Sequence, residues 1–319
     1  MIMQNNIFNK KYVIFLMGPT ASGKSELSMQ LQKYLPVELV SVDSALVYKG
    51  MDIGTAKPNK KQLLKHPLRL INLRDPKDYY CVQDFRCDVL QAIKEIFDMQ
   101  KIPLLVGGTM FYYNILLHGI SNLPKSNIDV RNTIFNKYGF QNSFILHQYL
   151  SKMDRESAEN IHPNDLQRIL RALEVCLITG KKYSILKKKV SNPFTYHAIQ
   201  FAIYPEKKFL YDNINTRFYH MLNNGFELEV RTLFHRKDLN IDLPAMRCVG
   251  YRQMFLYFMK KMNFSQMIQS TIFATRQLVK KQRTWLKKWK NVYFLYDNKI
   301  NYLTKKIISI LYKIIPRNY

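Results

Sequence analysis

Short apolar runs alternate with amphipathic stretches along the first third of the chain. The runs Tyr12–Met17, Glu38–Val42 and Ile102–Val106 have the length and composition of buried strands. One helical pattern runs to about Leu35, and another covers about Gln83–Met99. Because strands that alternate with helices form βαβ units, this part of the chain predicts a parallel sheet with helices on its faces.

The pattern changes in the middle of the chain. There the strand-like runs disappear, whereas Asp165–Thr179 has a helical pattern that Gly180 is suited to end. A sheet-like run returns at His197–Ile203, and the rest of the chain is mostly helical. We therefore predict an α/β core domain of residues 1–122 and 196–319, interrupted by an all-helical insertion of residues 123–195.

The strongest motif follows the first predicted strand and matches the phosphate-loop pattern G-x-x-x-x-G-K-[ST], with the required strand before it and helix after it. It consists of Gly18, Pro19, Thr20, Ala21, Ser22, Gly23, Lys24 and Ser25. The glycines let backbone N–H groups face an anion, and the helix N-terminus adds partial positive charge. Lys24 is placed to reach phosphate oxygens, and the Ser25 hydroxyl to bind Mg²⁺ or a phosphate. The loop predicts a bound diphosphate or triphosphate beside Mg²⁺, which does not by itself imply ATP hydrolysis.

An acid and a glycine pair follow two other predicted strands. Asp43 ends a strand, so it lies at the carboxyl edge of the sheet, beside the phosphate loop. Its position is consistent with three roles: a Mg²⁺ ligand, a general base or an acid that caps a turn. The strand Ile102–Val106 ends in Gly107, Gly108 and Thr109, and not in the acid with which many phosphate-loop ATPases hold Mg²⁺. This difference argues against an ordinary ATPase.

The chain carries a large excess of positive charge. Lys and Arg total 49 against 23 Asp and Glu, a net charge of +26. Such a charge favours a polyanionic partner, although A/T-rich codon usage also enriches lysine. Residues 243–296 contain 11 Lys or Arg and no acid, and four of these cations share one face of a predicted helix: Arg276, Lys280, Arg283 and Lys287. This stripe suits the tracking of a phosphate backbone, or it is an ordinary solvated face of a lysine-rich protein.

The cysteines and the apolar runs bear on location. The four cysteines are scattered, and none forms a C-x-x-C pair or a ligand spacing with the seven histidines. We therefore expect no disulfide framework, no zinc site and a reducing, cytoplasmic location. Since no apolar stretch reaches 18 residues, we expect no spanning helix and no membrane partner. We also expect a monomer.

Five segments together resemble the tRNA dimethylallyltransferases, also called tRNA isopentenyltransferases, over nearly the whole chain. They are Phe15–Ser25, Val37–Pro58, Pro103–Thr109, His162–Asp165 with Gln167–Arg168 and Arg171–Glu174, and Arg247–Met254. The second segment, VELVSVDSALVYKGMDIGTAKP, is far more specific than the phosphate loop. Without a zinc-finger extension, the bacterial type is the best fit.

The resemblance implies an α/β fold of the phosphate-loop NTPase or kinase type, with a parallel sheet flanked by helices and an inserted helical domain that grips the anticodon arm of tRNA. It implies transfer of a dimethylallyl group from dimethylallyl diphosphate to N6 of adenine 37, in tRNAs that read codons beginning with U. The phosphate loop then holds the diphosphate with Mg²⁺. The absence of a strand-end acid is expected, because no phosphoryl group is transferred.

The resemblance also assigns roles to residues. Asp43 is the expected general base for the exocyclic amine. Arg217 adds a second cation beside Lys24, and Thr109 helps to orient the reacting groups. Contacts with tRNA are expected from Asp43, Ser44, Ala45, Leu46, Thr109, Arg131, Gln167, Arg168, Ile169, Leu170, Arg171, Arg247, Cys248, Val249, Gly250, Tyr251, Arg252, Lys280, Lys281, Gln282, Arg283, Thr284, Trp285, Leu286 and Lys287.

Two other functions stay open at this point. A nucleotide or small-molecule kinase would use ATP at the same loop and would have no need of the basic run at residues 243–296. A tRNA-binding module without catalysis would have no need of Asp43 or Lys24. Incubation with labelled dimethylallyl diphosphate, Mg²⁺ and unmodified tRNA separates the three.

Overall fold

The computed structural model describes residues 11–138, 142–191 and 193–315. The chain divides into two compact units, one of residues 1–113 with 195–319 and one of residues 114–194. In the described ranges, no helix is both long enough and apolar enough to cross a membrane. The predicted domain boundaries at 122/123 and 195/196 stay a prediction.

Strands and helices alternate along much of the chain. The strands are β1 (Tyr12–Met17), β2 (Val37–Val42), β3 (Leu68–Arg69), β4 (Ile102–Gly107), β5 (Ile120–Ser121), β6 (Val190–Ser191), β7 (His197–Ile203) and β8 (Tyr293–Leu295). The helices are α1 (Lys24–Leu31), α2 (Lys60–Lys65), α3 (Val82–Asp98), α4 (Met110–His118), α5 (Ile128–Tyr138), α6 (Ser143–Met153), α7 (Arg155–Asn160), α8 (Leu166–Thr179), α9 (Tyr183–Lys188), α10 (Lys207–Asn223), α11 (Phe226–Phe234), α12 (Tyr251–Phe258), α13 (Phe264–Lys287) and α14 (Ile300–Ile314).

A parallel sheet forms the centre of the first unit, with its described strands in the order β3-β2-β4-β1-β7-β8. β1 lies between β4 and β7, where Phe15 pairs with Leu105 on one side and Gln200 on the other. The continuous apolar run of β1 suits this place, because central parallel strands are covered on both faces. The predicted parallel sheet with flanking helices is therefore confirmed.

The carboxyl edge of this sheet gathers the motifs. The phosphate loop follows β1, Asp43 follows β2, and Gly108 follows β4. Gly107 pairs with Val42 across β4 and β2, and a Cβ at Gly107 would lie 1.9 Å from the Val42 carbonyl oxygen. Only glycine fits at this position, so it lets the two strand ends approach closely at the edge where α/β proteins bind ligands.

Two of the apolar clusters in the first unit pack against the sheet and around the segment after β2. In one, Leu27 of α1 and Ile307 of α14 pack with the sheet. In the other, α10, α11, α12 and α13 pack around the segment after β2, which contributes Val47, Tyr48 and Met51. The second cluster holds that segment beside the carboxyl edge of the sheet and so positions the site.

The second unit has its own core. Helices α5 to α8 bury Ile134, Leu146 and Leu173 among one another. Helix α8 ends at Gly180 in the left-handed conformation, with φ of 65°, as the sequence predicted. The expectation of a purely helical insertion needs one correction, since β5 and β6 pair as an antiparallel ribbon. Strands of two residues are too short to give a period-two pattern.

Candidate active site

Residues 20–25 of the phosphate loop line a cavity of about 530 Å³. Gly23 adopts the left-handed conformation, with φ of 85°, where the loop enters α1. Lys24 Nζ donates to the backbone carbonyl of Pro19 at 2.6 Å. Within the described residues, the buried hydroxyls of Ser22 and Ser41 lack a hydrogen-bond partner, and both residues line the cavity. Unpaired buried hydroxyls fit a site for a polar ligand.

The Lys24 ammonium is held in an environment that weakens its charge. Burial lowers the pKa of Lys24 to about 7, opposed by the charge of Asp43 and assisted by that of Arg217. A bound anion would oppose burial, because a nearby negative charge favours the protonated form. The loop is therefore suited to gain a full positive charge when a phosphorylated ligand binds.

Asp43 lies in the turn after β2, with an oriented carboxylate. Its Oδ1 accepts a hydrogen bond from the Ala45 N–H at 2.8 Å. The Thr109 hydroxyl oxygen accepts one from the Ser44 N–H at 3.2 Å, which joins the ends of β2 and β4. Asp43 therefore caps a turn, one of the three roles that its position allowed. The hydrogen bond from the Ala45 N–H also orients the Asp43 carboxylate, as either of the other two roles would need.

Arg217 reaches the phosphate loop from α10. Its Nη2 donates to the Thr20 hydroxyl at 2.8 Å. Burial lowers the pKa of Arg217, and the charge of Asp43 opposes the shift. The structure thus brings together the three charged groups that the sequence singled out, two cations and one carboxylate.

A second cavity, of about 490 Å³, adjoins the first. The residues that line both cavities are Thr20, Asp43, Thr55, Gly108, Arg217 and Gln282. Aromatic side chains contribute much of the remaining lining of the second cavity: Phe111, Phe218, Phe226, Tyr251 and Trp285. Asp43 and Arg217 therefore stand between the phosphate-loop cavity and one with an aromatic lining, whereas Lys24 lines only the first.

Glu229 holds the segment that carries Thr55. Its carboxylate on α11 accepts hydrogen bonds from the N–H groups of Asp52, Ile53 and Gly54 at 2.9, 2.7 and 3.1 Å. The Tyr251 hydroxyl donates to the same carboxylate at 2.6 Å. Sequence reasoning missed Glu229, because its main-chain partners lie 175 to 177 positions away and leave no local pattern.

Lys57 fixes the segment after β2 through hydrogen bonds of its buried side chain. Its Nζ donates to the Tyr48 carbonyl at 2.8 Å and to the side chains of Asp52 and Asn72 at 2.6 and 2.7 Å. Its side chain is almost fully buried. Lys57 was also missed as an individual residue, although it lies inside the specific segment Val37–Pro58. The three hydrogen bonds of Lys57 explain why a lysine belongs at this position of the segment.

The expected tRNA contacts on α8 divide by exposure. Gln167 and Arg168 are exposed, whereas Ile169 and Leu170 are buried. The expectation is corrected for the last two, because a helix that packs on a core turns neighbouring residues inward and outward in succession. Their side chains pack in the core of the second unit and have no open face for RNA.

Arg131 and Arg171 share an internal partner. Arg131 Nε and Arg171 Nη1 donate to the carboxylate of Glu174 at 3.0 and 2.6 Å, and Glu174 is fully buried. Arg171 also donates to the Pro124 carbonyl at 2.6 Å. Two guanidinium groups on one carboxylate leave a net positive charge, and both arginine side chains stay partly exposed. They form an oriented basic pair.

The segment 247–252 is mixed in the same way. Arg247 and Arg252 are exposed, whereas Gly250 and Tyr251 are buried, so Tyr251 serves the Glu229 cap and not an outer surface. Burial raises the pKa of Cys248 to about 12, and the charge of Asp43 adds to the shift. The Cys248 thiol stays protonated and is unsuited to act as a nucleophile.

Helix α13 presents lysines to solvent and packs its other face inward. Lys280, Lys281 and Lys287 are exposed. Leu286 is fully buried and Gln282 nearly so. The expectation of tRNA contact is corrected for the Leu286 side chain, which is packed on the face that docks the helix. Gln282 also lines both cavities, so its expected tRNA contact stays a prediction.

The basic stripe of α13 also needs a correction. Arg283 Nη1 donates to the Pro205 carbonyl at 2.6 Å, and the guanidinium lies 3.8 Å from the ring centre of Tyr204. Arg276 Nη2 donates to Asn215 Oδ1 at 3.3 Å. These two arginines tie the helix to its own unit, so only the lysines of the stripe face solvent fully.

A parallel sheet with a phosphate loop at its carboxyl edge, beside two adjoining cavities, defines a protein with a phosphate-loop fold and a candidate ligand site at that edge. A family model described as IPP transferase matches residues 46–289. The chain belongs to the IPP transferase family.

Similar proteins agree with this assignment. A tRNA dimethylallyltransferase of Buchnera aphidicola subsp. Acyrthosiphon pisum (strain APS) is 49% identical, with 97% of this chain and 98% of the relative covered. One from B. aphidicola subsp. Baizongia pistaciae is 50% identical over 95% of this chain and 94% of the relative. The crystal structure of a tRNA delta(2)-isopentenylpyrophosphate transferase from Staphylococcus epidermidis matches with a TM-score of 0.68 and 30% identity, over 95% of this chain and all of the other. A eukaryotic dimethylallyltransferase described as acting on tRNA matches with a TM-score of 0.79 and 25% identity, over 97% of this chain and 82% of the other.

Proposed function

We propose that this chain transfers a dimethylallyl group from dimethylallyl diphosphate to N6 of adenine 37 of tRNA, in tRNAs that read codons beginning with U. The observation that carries the proposal is the wall shared by the two cavities, where Asp43, Arg217 and Thr20 face both. The names of the relatives, tRNA dimethylallyltransferases, support the same reaction.

The phosphate-loop cavity suits the donor. Backbone N–H groups of the loop and the Lys24 ammonium would bind the diphosphate, and the unpaired hydroxyls of Ser22 and Ser41 offer it further hydrogen bonds. Binding of the diphosphate would raise the pKa of Lys24 from about 7 and restore its charge.

The same cavity suits Mg²⁺ beside the diphosphate. The Ser25 hydroxyl would supply a ligand, as in other phosphate loops. Among the described residues, no cluster of three or more His, Cys, Asp or Glu side chains could hold a metal. The diphosphate and water would supply further ligands. The ion would supply positive charge to the departing diphosphate.

The second cavity suits the acceptor. An adenine that leaves the stack of its loop would lie among the aromatic side chains, with N6 toward Asp43. The amine attacks C1 of the dimethylallyl group, and the C1–O bond breaks as the electron pair leaves with pyrophosphate. The N6 proton passes to the Asp43 carboxylate, which the Ala45 N–H holds in place.

The cations serve the leaving group. Negative charge develops on the bridging oxygen as C1 departs, so the fixed charges of Lys24 and Arg217 lower the barrier. Arg217 is oriented for this by its bond to Thr20. Thr109 keeps the turn of Asp43 beside the end of β4 through its bond from the Ser44 N–H.

The surface supports a tRNA acceptor. The net charge is +26, and the exposed cations include Arg168, Arg247, Arg252, Lys280, Lys281 and Lys287. Each is at a position that the family resemblance assigns to tRNA contact. The buried side chains of Ile169, Leu170 and Leu286 would act only by shaping these surfaces. Buried Tyr251 and Gln282 line the second cavity, where the adenine would lie.

A kinase reaction is the less favoured alternative. The strand β4 ends in Gly107 and Gly108, so it lacks the acid with which many phosphate-loop ATPases hold Mg²⁺. The similarity to tRNA dimethylallyltransferases at about half identity over nearly the whole chain points the same way. ATP consumption is therefore not expected.

The test is a transfer assay with labelled dimethylallyl diphosphate, Mg²⁺ and unmodified tRNA. The expected product is N6-(dimethylallyl)adenosine at position 37, with one pyrophosphate released for each group transferred. A companion reaction with ATP in place of the donor should give no ADP. Stoichiometric ADP and no prenylated tRNA would establish the kinase instead. A cytoplasmic location and a monomeric state stay predictions, the second of which light scattering checks.

A further inference from the structure

Gln282 is a buried polar residue that bridges two loops of the site. It lies on α13, with 8% of its surface exposed. Its Oε1 accepts a hydrogen bond from the Thr20 N–H in the phosphate loop at 2.9 Å. Its Nε2 donates to the Gly108 carbonyl after β4 at 2.9 Å. One amide thus satisfies a donor and an acceptor from two strand ends.

The two bonded residues each lead to a group of the proposed mechanism. Thr20 accepts a hydrogen bond from Arg217 through its hydroxyl. Gly108 precedes Thr109, which accepts from the Ser44 N–H beside Asp43. Gln282 therefore stands between the loop that would hold the diphosphate and the turn that carries the carboxylate.

The surroundings leave the amide little freedom. A Cβ at Gly108 would lie 2.5 Å from Gln282 Nε2, so the glycine is needed for the close contact. The bond to Oε1 also means that the Thr20 N–H already has a protein partner in the phosphate loop. The Gln282 side-chain amide therefore sets the distance between Thr20 and Gly108. Neither of its two polar groups is left unpaired for a ligand.

We infer that Gln282 is a positioning residue for prenyl transfer, which sets the distance and orientation of the phosphate loop relative to the Asp43 turn. The inference rests on the proposed function and extends it to a residue that the resemblance assigned to tRNA contact. A displaced loop would separate C1 of the donor from N6 of the adenine, and misplacement by about 1 Å costs on the order of 100-fold in rate.

The first test compares Gln282→Leu with the wild type. Leucine has a similar size but neither hydrogen-bonding group. At saturating donor and tRNA, the single-turnover rate should fall by about 10- to 100-fold. The dissociation constant for tRNA should change by less than about threefold, because both amide groups are already bonded within the protein and only 8% of the residue is exposed. Gln277→Leu makes the same change at an exposed position of the same helix and should behave as wild type.

A second variant separates positioning from general destabilisation. In Gln282→Glu, the ionised carboxylate still accepts from the Thr20 N–H but has no proton for the Gly108 carbonyl. Protonation of the carboxyl restores that donor, so the rate of this variant relative to wild type should rise as the pH is lowered. If the defect is a general loss of structure, the rate of Gln282→Glu relative to wild type should not rise as the pH is lowered.

Three results would overturn the inference while the wild type stays active: an unchanged rate for Gln282→Leu, a rate ratio for Gln282→Glu that does not rise at lower pH, or a loss confined to tRNA affinity. The last would show that Gln282 contacts tRNA. An inactive wild type would refute the proposed function itself, so the two failures are distinguishable. If Gln282→Leu does not fold, the pH dependence of Gln282→Glu decides alone.

Discussion

Arg217 donates a hydrogen bond to the hydroxyl of Thr20 at 2.8 Å, across 197 positions of the sequence. The phosphate loop is therefore completed by a cation from a helix outside the motif. An ordinary local loop binds phosphate through its own N–H groups and lysine. Here the Arg217 guanidinium adds a second positive charge to that of Lys24, near enough to Asp43 for the two charges to interact, where a leaving group would need it.

Asp43→Asn tests the general base. Asparagine keeps an oxygen that accepts from the Ala45 N–H, so the turn should persist. Because the amide cannot take a proton, the single-turnover rate should fall by at least about 10² at saturating tRNA. The affinity for tRNA should stay within a few fold. Asp212→Asn, an exposed acid on α10, is the matched control. A near-normal rate for Asp43→Asn would remove Asp43 from the role of base.

The lowered pKa of Lys24 predicts a pH-dependent donor affinity. Above pH 7 the free protein holds Lys24 mostly neutral, so dimethylallyl diphosphate should bind with uptake of up to one proton and more weakly as pH rises. Calorimetry in buffers of different ionisation enthalpy measures that proton. Lys24→Ala should abolish the uptake and weaken binding, whereas exposed Lys33→Ala should do neither. Binding of full affinity by Lys24→Ala would mean that the loop does not hold the donor.

The same shift has a consequence for stability. The folded pKa, about 7, lies below the ordinary value of 10.5, so between these pH values the unfolded chain binds the proton that the folded chain has lost. Unfolding then becomes less favourable as pH rises through this window. Urea titrations across it should show a smaller rise for Lys24→Met than for wild type. Equal slopes would contradict the buried, neutral lysine.

The exposed lysines of α13 should govern the salt dependence of tRNA binding. If Lys280 and Lys287 each neutralise a phosphate, each alanine variant should lower the slope of log K against log salt by roughly 0.7 to 0.9. Lys305→Ala removes the same charge from an exposed site on α14 and should leave the slope unchanged. Filter binding over a salt series measures the slopes.

Arg283 should behave differently from these lysines. Its guanidinium lies over Tyr204 and binds a main-chain carbonyl, so Arg283→Ala removes packing within its own unit. We expect Arg283→Ala to lower the melting temperature and Lys287→Ala to leave it unchanged. If Arg283→Ala changes only the salt slope and leaves thermal unfolding intact, the arginine serves RNA and not the helix.

Glu174 should stabilise the second unit by pairing with Arg131 and Arg171. Glu174→Gln leaves two cations without their buried partner and should cost about 3–5 kcal/mol of stability. The exposed pair of Glu159 with Arg155 is the control, and Glu159→Gln should cost under about 1 kcal/mol. Urea unfolding measures both. Equal effects would show that Glu174 is not the centre of the pair.

The charge of Glu174 also gives an acid dependence. Burial acts to raise the pKa of Glu174, but hydrogen bonds from Arg131 and Arg171 outweigh it, and the net shift is downward. The stabilisation is therefore present above the ordinary glutamate pKa and is lost as pH falls through the lowered value. Glu174→Gln should lose this part of the acid sensitivity, as urea unfolding at a series of acidic pH values would show.

Much of the sheet could be predicted because its strands are local patterns. Strands β1, β2, β4 and β7 are apolar runs of six or seven residues, long enough to be recognised singly. Strands β3 and β8, of two and three residues, take their form from pairing with neighbours. No pattern of so few residues distinguishes a strand from a turn.

The site could be predicted in part for the same reason. Asp43 and Thr109 follow recognisable strands, so their meeting at one edge follows from parallel pairing. The burial of Gln282 could not be predicted, because the sequence of a lysine-rich helix does not show which polar side chain is buried when the helix packs. Arg217 came from family resemblance alone, since its partner lies far away in sequence.

The cap that Glu229 places on residues 52–54 bears on how the protein is made. The ribosome delivers those residues long before it delivers Glu229, so their three N–H groups remain solvated on the nascent chain. The three N–H groups gain their carboxylate partner only when α11 has emerged and docked. A chain interrupted before α11 would hold an intact phosphate-loop sequence and yet lack a finished substrate cavity.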